Sequence, residues 1–424
     1  MSAARPPGVH IDLATGALLV GGDKVFPIGL SNGPPLGSRT PAGRDAFDEV
    51  ASAGVNAIRT GVSDWNAERI AAQIGAEQEL HQTAFAHGLR CWLGLANIGN
   101  LPARTTAQAS VNEQLLTRVV NEFRRDPALL AYKGVDEPRN PLRGANWVRP
   151  AGLVRAYRKV KSLDPNHPVV VIQAPRSPVV QLTRYRAALD ITGVDIYPVS
   201  YPPQVHSDLR TKDINVVGAL ARKTRQAAGR KPFWMTLQIA FSGVIPTKRN
   251  PARVPRFPSL AQERFMAYEA IVNGARGLFF FGGHLTQVMT PQDAALGWNW
   301  TFWRRVLRPL VSELASADLR PALVAPTVRS VTARTHARDI ELVTRRTRTH
   351  LYVIAVRIGG PVSLVEFGGV PRRLTRGDVL FEHVQEPLPP PTDGHQVPRP
   401  VSVKNGVFRD WFAPHDAHVY RFAL

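Results

Sequence analysis

Ala131-Tyr132-Lys133-Gly134-Val135-Asp136-Glu137-Pro138 is a short apolar run that stops at two adjacent carboxylates and a proline. The run reads as a strand, and Pro138, which has no N–H to donate, ends regular pairing. The carboxylates therefore stand at a strand's C-terminal end. Barrels of alternating strands and helices keep their chemistry there. Two solvated acids at a strand end would look the same in isolation, so the flanking chain decides the reading.

Working outward, the same alternation recurs on both sides. Upstream, Ile11 to Lys24 reads as a hairpin and Val25 to Leu30 as a first strand. A helix from Arg44 to Ala53 stops at Gly54, and Val55 to Thr60 is a second strand. Asn66 to Ala86 has helical spacing, Leu89 to Ala96 is strand-like, and Val111 to Arg125 is helical. The quoted stretch is then the fourth strand. Downstream, helices are expected at Pro150–Leu163, Val180–Leu189, Asn215–Ala228, Leu260–Asn273 and Trp300–Ala315. Strands are expected at Pro168–Gln173, Ile191–Tyr197, Pro232–Gln238 and Gly277–Phe281.

Eight strand–helix pairs made largely of apolar runs indicate a parallel sheet buried on both faces. The fold class is α/β, a (β/α)8 TIM barrel over residues 25–322. An open doubly wound sheet would show a glycine-rich phosphate loop after its first strand, and Ser31-Asn32-Gly33-Pro34-Pro35 is not one. Residues 1–24 form the hairpin lead-in. From Thr327 the texture changes to short strands without helices: Val328–Ala333, Ile340–Thr344, His350–Arg357, Val362–Phe367, Val401–Val403 and His418–Phe422. Residues 327–424 are therefore expected to form a C-terminal antiparallel β-sandwich, with Pro387 to Pro400 as a loop.

The chain has 424 residues and a formal charge of +20. The charge is spread out: from Thr327 onward there are 14 Lys and Arg against 9 Asp and Glu. Without a recognition motif, a solvated basic surface is the preferred reading over a specific nucleic-acid site. Cys91 is the only cysteine, which excludes an intrachain disulfide. No apolar run approaches the ~20 residues of a membrane span. Met1 to Gly8 has no apolar segment of a signal peptide, so the chain reads at face value as cytoplasmic, or as secreted if a leader is missing. No metal or cofactor is expected, because no HxxxH pair, Walker loop or GxGxxG is present. A GxSxG elbow is also missing.

Polar residues collect at the expected strand ends: Ser31, Asn32, Arg59, Asn97, Asp136, Glu137, Gln173, Asp195, Tyr197, Gln238 and His284. In a barrel these ends converge on one rim. Aromatic residues follow in the loops: Trp65, Trp147, Tyr201, Trp298, Trp300 and Trp303. Sugar rings stack their C–H faces on such side chains, and their hydroxyls need amides, carboxylates and guanidinium groups. A concave rim that mixes both suits carbohydrate. Lys248, Arg249, Arg253 and Arg256 mark a basic loop after strand seven, read as solvated.

This pattern resembles the glycoside hydrolase clan of (β/α)8 barrels that holds cellulase-like, β-galactosidase-like and mannanase-like families. The resemblance rests on Gly22-Asp23-Lys24-Val25-Phe26-Pro27-Ile28-Gly29 as lead-in and on Gly54-Val55-Asn56-Ala57-Ile58-Arg59 as second strand. Asp195-Ile196-Tyr197-Pro198 at strand six and Gly274-Ala275-Arg276-Gly277 before Phe279-Phe280-Phe281 add to it. It implies that Glu137 is the strand-four acid/base and that Arg59 supports a nucleophile. Two departures stand out. Asp136 replaces the usual Asn before the glutamate, and Gln238 ends strand seven, where the clan has its nucleophilic Glu.

An amide cannot form the glycosyl ester. The second carboxyl would then be Asp136 or Asp195, about 5–5.5 Å from Glu137 in a retaining enzyme and roughly 6.5–9.5 Å in an inverting one. The expected function is a glycosidase acting on an oligo- or polysaccharide, with Glu137 as general acid, its pKa raised by burial and a neighbouring carboxylate. Arg59, Asn97, Gln173, Tyr197, Gln238, His284 and Trp298 would bind the sugar. Two alternatives are a barrel that binds carbohydrate without cleaving it and a basic polyanion-binding protein.

Overall fold

The computed structural model describes residues 8–102, 107–140, 147–200, 202–239, 257–281, 290–334, 339–382 and 398–424. Its centre is a closed barrel of eight parallel strands. These are β1 (Ile28–Leu30), β2 (Ala57–Thr60), β3 (Arg90–Gly94), β4 (Leu129–Lys133), β5 (Val169–Gln173), β6 (Ile191–Asp195), β7 (Phe233–Gln238) and β8 (Leu278–Phe281). The ring runs in chain order and closes between β8 and β1 through Leu278–Ile28 and Phe280–Leu30. Helices α1 (Ala46–Ala53), α2 (Ile70–Ala86), α3 (Ala107–Phe123), α4 (Pro150–Leu163), α6 (Val216–Ala228) and α7 (Leu260–Val272) follow their strands, as the alternation predicted. After β5 the expected helix Val180–Leu189 is a short turn of α-helix, α5 (Val179–Thr183), and a 3₁₀ segment (Arg186–Ala188).

Trp92, Trp234 and Phe279 pack against one another inside the barrel, with ring centroids 4.7–5.6 Å apart. Gly29 makes room for them, since a Cβ there would sit 2.2 Å from the Phe279 ring. Below them a small antiparallel sheet (Val9–Ile11, Leu18–Val20, Asp23–Val25) closes the N-terminal end, burying Val9 and Leu18 against the same cluster. The barrel is thus filled below and can open only at the C-terminal ends of its strands.

Two boundaries differ from expectation. Regular pairing in β4 ends at Lys133, so Asp136 and Glu137 stand on a bend beyond the strand. The stretch Val25–Leu30 is divided, its first residue completing the N-terminal sheet and its last three forming β1.

The C-terminal region has a six-stranded and a three-stranded sheet. All their pairings are antiparallel. Their apolar faces meet in one cluster around Val353, Phe367, Phe408 and Tyr420, as in a β-sandwich. The expected strand Val328–Ala333 is two, Thr327–Val328 in the larger sheet and Thr332–Arg334 in the smaller. Strands Arg376–Leu380 and Val407–Phe412 add to those expected, and Pro400 lies in the edge strand Arg399–Ser402, where a missing donor is tolerated.

Arg264 of α7 ties this region to the barrel. Its Nε donates to both carboxylate oxygens of Glu313 (2.9 and 3.0 Å), and its Nη1 donates to the Ala417 carbonyl (2.5 Å). The Tyr268 hydroxyl completes the group by donating to Glu313 (2.5 Å).

Candidate active site

A cavity of about 360 Å³ opens at the C-terminal ends of the barrel strands. Its floor is aromatic, with Trp92 from β3 and Phe281 from β8, and Tyr197 stacks on Phe281 at 5.5 Å. The polar lining brings together Arg59, Asp136, Glu137, Asp195 and Tyr197, all of them strand-end residues in the sequence. It adds Lys133, Asn140, Arg176, His206 and Thr236, which the strand-end rule did not select.

Glu137 has a strained backbone. Its φ is 41°, in the left-handed region that L side chains avoid. Its N–H donates to the Ile172 carbonyl of β5 (2.9 Å), and its own carbonyl accepts from the Asn140 N–H (3.1 Å). These bonds hold the turn and aim the side chain at the cavity. Asn140 Nδ2 then donates to Glu137 Oε2 (2.6 Å) and fixes the carboxyl's orientation.

Asp195, at the end of β6, accepts from the Tyr197 hydroxyl (3.0 Å) through Oδ2. Oδ1 receives no N–H or hydroxyl among the described residues. The Glu137 carboxyl lies within hydrogen-bonding reach of Asp195. Two carboxyls can make that contact only if one keeps its proton. Burial first, then the Glu137 and Asp136 charges, push the Asp195 pKa well above the usual carboxylate range. Asp195 keeps some surface toward the cavity, but protein atoms enclose it on its other sides. The carboxyl that burial and neighbouring charge raise is thus the one at the end of β6.

Asp136 is half exposed and pairs with Lys133 Nζ at 2.5 Å. The Lys133 ammonium is buried and lies 5.8 Å from the Trp92 ring centroid. Burial lowers its pKa; Asp136 opposes this, and Arg59 adds to it. Arg59 Nε donates to the Ser31 carbonyl (3.0 Å) and its Nη2 to Asn32 Oδ1 (3.2 Å).

Several expected sugar-binding residues do not line the cavity. Gln238 is fully buried; its Oε1 accepts from the Val199 N–H and its Nε2 donates to the Val199 carbonyl, both at 2.9 Å. Asn97 treats Trp65 in the same way, at 2.9 and 3.0 Å. Gln173 is buried, with Oε1 unpartnered among the described residues. Trp298 is buried and donates through Nε1 to the Asn32 carbonyl (3.2 Å). Trp65, Trp300 and Trp303 are core residues as well, whereas Trp147 keeps some surface and carries the Arg139 guanidinium 4.3 Å from its ring. On β7 it is Thr236, not Gln238, that lines the cavity. His284, Tyr201 and the basic loop with Lys248, Arg249, Arg253 and Arg256 lie outside the described residues.

Glu382, Asp410 and His418 in the C-terminal region are close enough together to hold a metal ion, but Arg399 already supplies the positive charge by donating to both carboxylates. Among the described residues no helix is long and apolar enough to cross a membrane.

The sequence matches no family model and no curated protein. Solved structures do match. The chain is similar to a glycoside hydrolase family 5 protein from Bacteroides vulgatus, with a TM-score of 0.64, 12% identity, and 98% of this chain and 93% of that one covered. It is also similar to a family 30 endoxylanase from Clostridium papyrosolvens C71, with a TM-score of 0.52, 11% identity, and 95% and 97% covered. A third likeness is to an α-amylase from Geobacillus thermoleovorans, with a TM-score of 0.54, 9% identity, and 94% and 99% covered. At these identities the likeness is one of fold, and the fold is the (β/α)8 barrel of glycoside hydrolases with an added β-sandwich.

Proposed function

We propose that this protein hydrolyses glycosidic bonds in an oligo- or polysaccharide, with Glu137 and Asp195 as the reacting carboxyl pair. The observation that carries this reading is that both carboxyls line one cavity within hydrogen-bonding reach of each other, with the Asp195 pKa raised by burial and by the Glu137 and Asp136 charges. Glycoside hydrolysis needs one acid to protonate the leaving oxygen and one carboxylate to meet the positive charge at the anomeric carbon. The raised pKa of Asp195 suits it to the acid role, and Asn140 positions the Glu137 carboxyl by donating to it.

Carboxyls in hydrogen-bond contact are closer to the about 5–5.5 Å of a retaining enzyme than to the roughly 6.5–9.5 Å that admits a water between them. A sugar wedged between the two would separate them toward the former. The Lys133–Asp136 pair sits beside them as a positioning group, and Arg59, Tyr197, Arg176 and His206 offer donors to sugar hydroxyls.

Glu137→Gln and Asp195→Asn should each remove nearly all turnover on a responsive glycoside while circular dichroism stays unchanged. Unchanged turnover in either variant rejects the pair. The absence of a β7 carboxyl among the residues lining the cavity, with Thr236 in its place, favours a second reading: a barrel that binds sugar without cleaving it. That reading predicts saturable binding of an oligosaccharide with no product after long incubation.

A further inference from the structure

The opposite end of the barrel holds a second cleft, of about 460 Å³. It lies between the hairpin turn at residues 12–16 and the segments that lead into β6, β7 and β8. Arg225, Arg230, Lys231 and Arg276 line it, against the single carboxylate of Asp190. That carboxylate is already engaged: Oδ1 accepts from the Tyr157 hydroxyl (2.8 Å) and Oδ2 from the Val169 N–H (2.9 Å), with Lys161 at 3.6 Å.

The cations have little to balance them. The Arg225 and Arg230 side chains make no hydrogen bond or ion pair among the described residues. Lys231 donates only to the backbone carbonyls of Arg186 and Leu189. Arg276 donates to the Leu323 carbonyl (3.2 Å); burial lowers its pKa to about 10, which the Asp12 carboxylate, itself paired with Lys24, opposes. Behind it, buried Arg345 has no carboxylate partner among the described residues, and Arg276 adds to the burial that lowers Arg345 to about 9. Arginine stays charged at neutral pH even so, and the repulsion cannot be relieved by losing a proton.

We propose that this basal cleft binds a phosphate group, whose multiple negative oxygens match the guanidinium forks of Arg225, Arg230 and Arg276 in its lining. Leu13, 94% exposed at the lip of the cleft, bears on the source of that phosphate. A soluble phosphate ester leaves Leu13 in water, whereas a phospholipid headgroup brings acyl chains that cover it. The site is independent of the upper cavity, because the aromatic cluster fills the barrel between them.

The test is calorimetric titration of the full chain with inorganic pyrophosphate at an ionic strength held constant with KCl. Flotation with phosphatidylglycerol and phosphatidylcholine vesicles runs in parallel. The expected result is saturable binding that Arg225→Ala with Arg230→Ala weakens by at least about tenfold, while Glu137→Gln binds like the unaltered chain. Both arginines are exposed, so the double variant should fold, and thermal melts check this. Pyrophosphate binding alone assigns a soluble phosphate compound. Flotation only with the anionic vesicles, lost in Leu13→Ser, assigns a lipid headgroup. Binding no stronger than the KCl control in both arms, or binding unaffected by the double variant, overturns the proposal.

Discussion

Burial and the neighbouring Glu137 and Asp136 charges raise the Asp195 pKa, and that shift makes stability depend on pH in a defined direction. The unfolded Asp195 carboxyl ionises near 3.8, and burial holds the folded one well above that. Between those values the folded chain binds more protons than the unfolded chain, so stability falls as pH rises through the window and levels off above it. Asparagine has no charge to desolvate, and its N–H can donate toward Glu137. Asp195→Asn should therefore raise the unfolding midpoint near neutral pH. Thermal melts near neutral pH and near pH 4 should show the gain shrink in acid. Turnover should likewise persist above the ordinary carboxylate range and fall as Asp195 loses its proton. At this scale the sequence was legible for charged residues at strand ends and misleading for amides. Asn97 and Gln238 were assigned to sugar, but each pairs with both the N–H and the carbonyl of one residue, as a neighbouring strand would. Asn56 does similar work between Phe26 and Ile28. An amide side chain is chemically a peptide group, so residue type alone cannot tell a ligand contact from a substitute for a strand.

Elements were easier to read than the exact point at which each ends. Short apolar runs with helical segments between them gave the parallel barrel, because both faces of such strands are buried. Lys133 escaped notice because an apolar strand was expected to carry on past it. Pairing ends at Lys133, and its side chain then belongs to the mouth. Trp92 and Phe281, which lie on strands rather than in the loops where aromatic residues were sought, form the cavity floor. Tight closure of the barrel can be tested at Gly61, just after β2. It has φ 96°, and a Cβ there would lie 2.6 Å from the Gly94 backbone nitrogen. Gly61→Ala should cost at least about 1–3 kcal/mol, since neither the backbone angle nor the neighbouring strand can yield cheaply. Urea denaturation measures it; a cost within error would mean that the strands can separate there.

Across the whole molecule, Arg264 links α7, the closing helix segment Arg308–Ala315 and the C-terminal sheet. Removing it strands the buried Glu313 charge. Arg264→Leu should destabilise by about 3–5 kcal/mol, and much of that loss should return in the double variant with Glu313→Leu. Equal losses in the single and double variants, measured by denaturant titration, would assign the effect to packing instead. The cluster of Trp92, Trp234 and Phe279 has a consequence for molecular traffic. With the lumen filled and the small sheet beneath it, nothing bound in the upper cavity can leave by the far end. On the proposed hydrolysis, a substrate and its fragments would share one doorway, and a released sugar would compete directly with the next chain to arrive. Inhibition by product should then be competitive in steady-state kinetics, and the slower fragment to depart should set the pace.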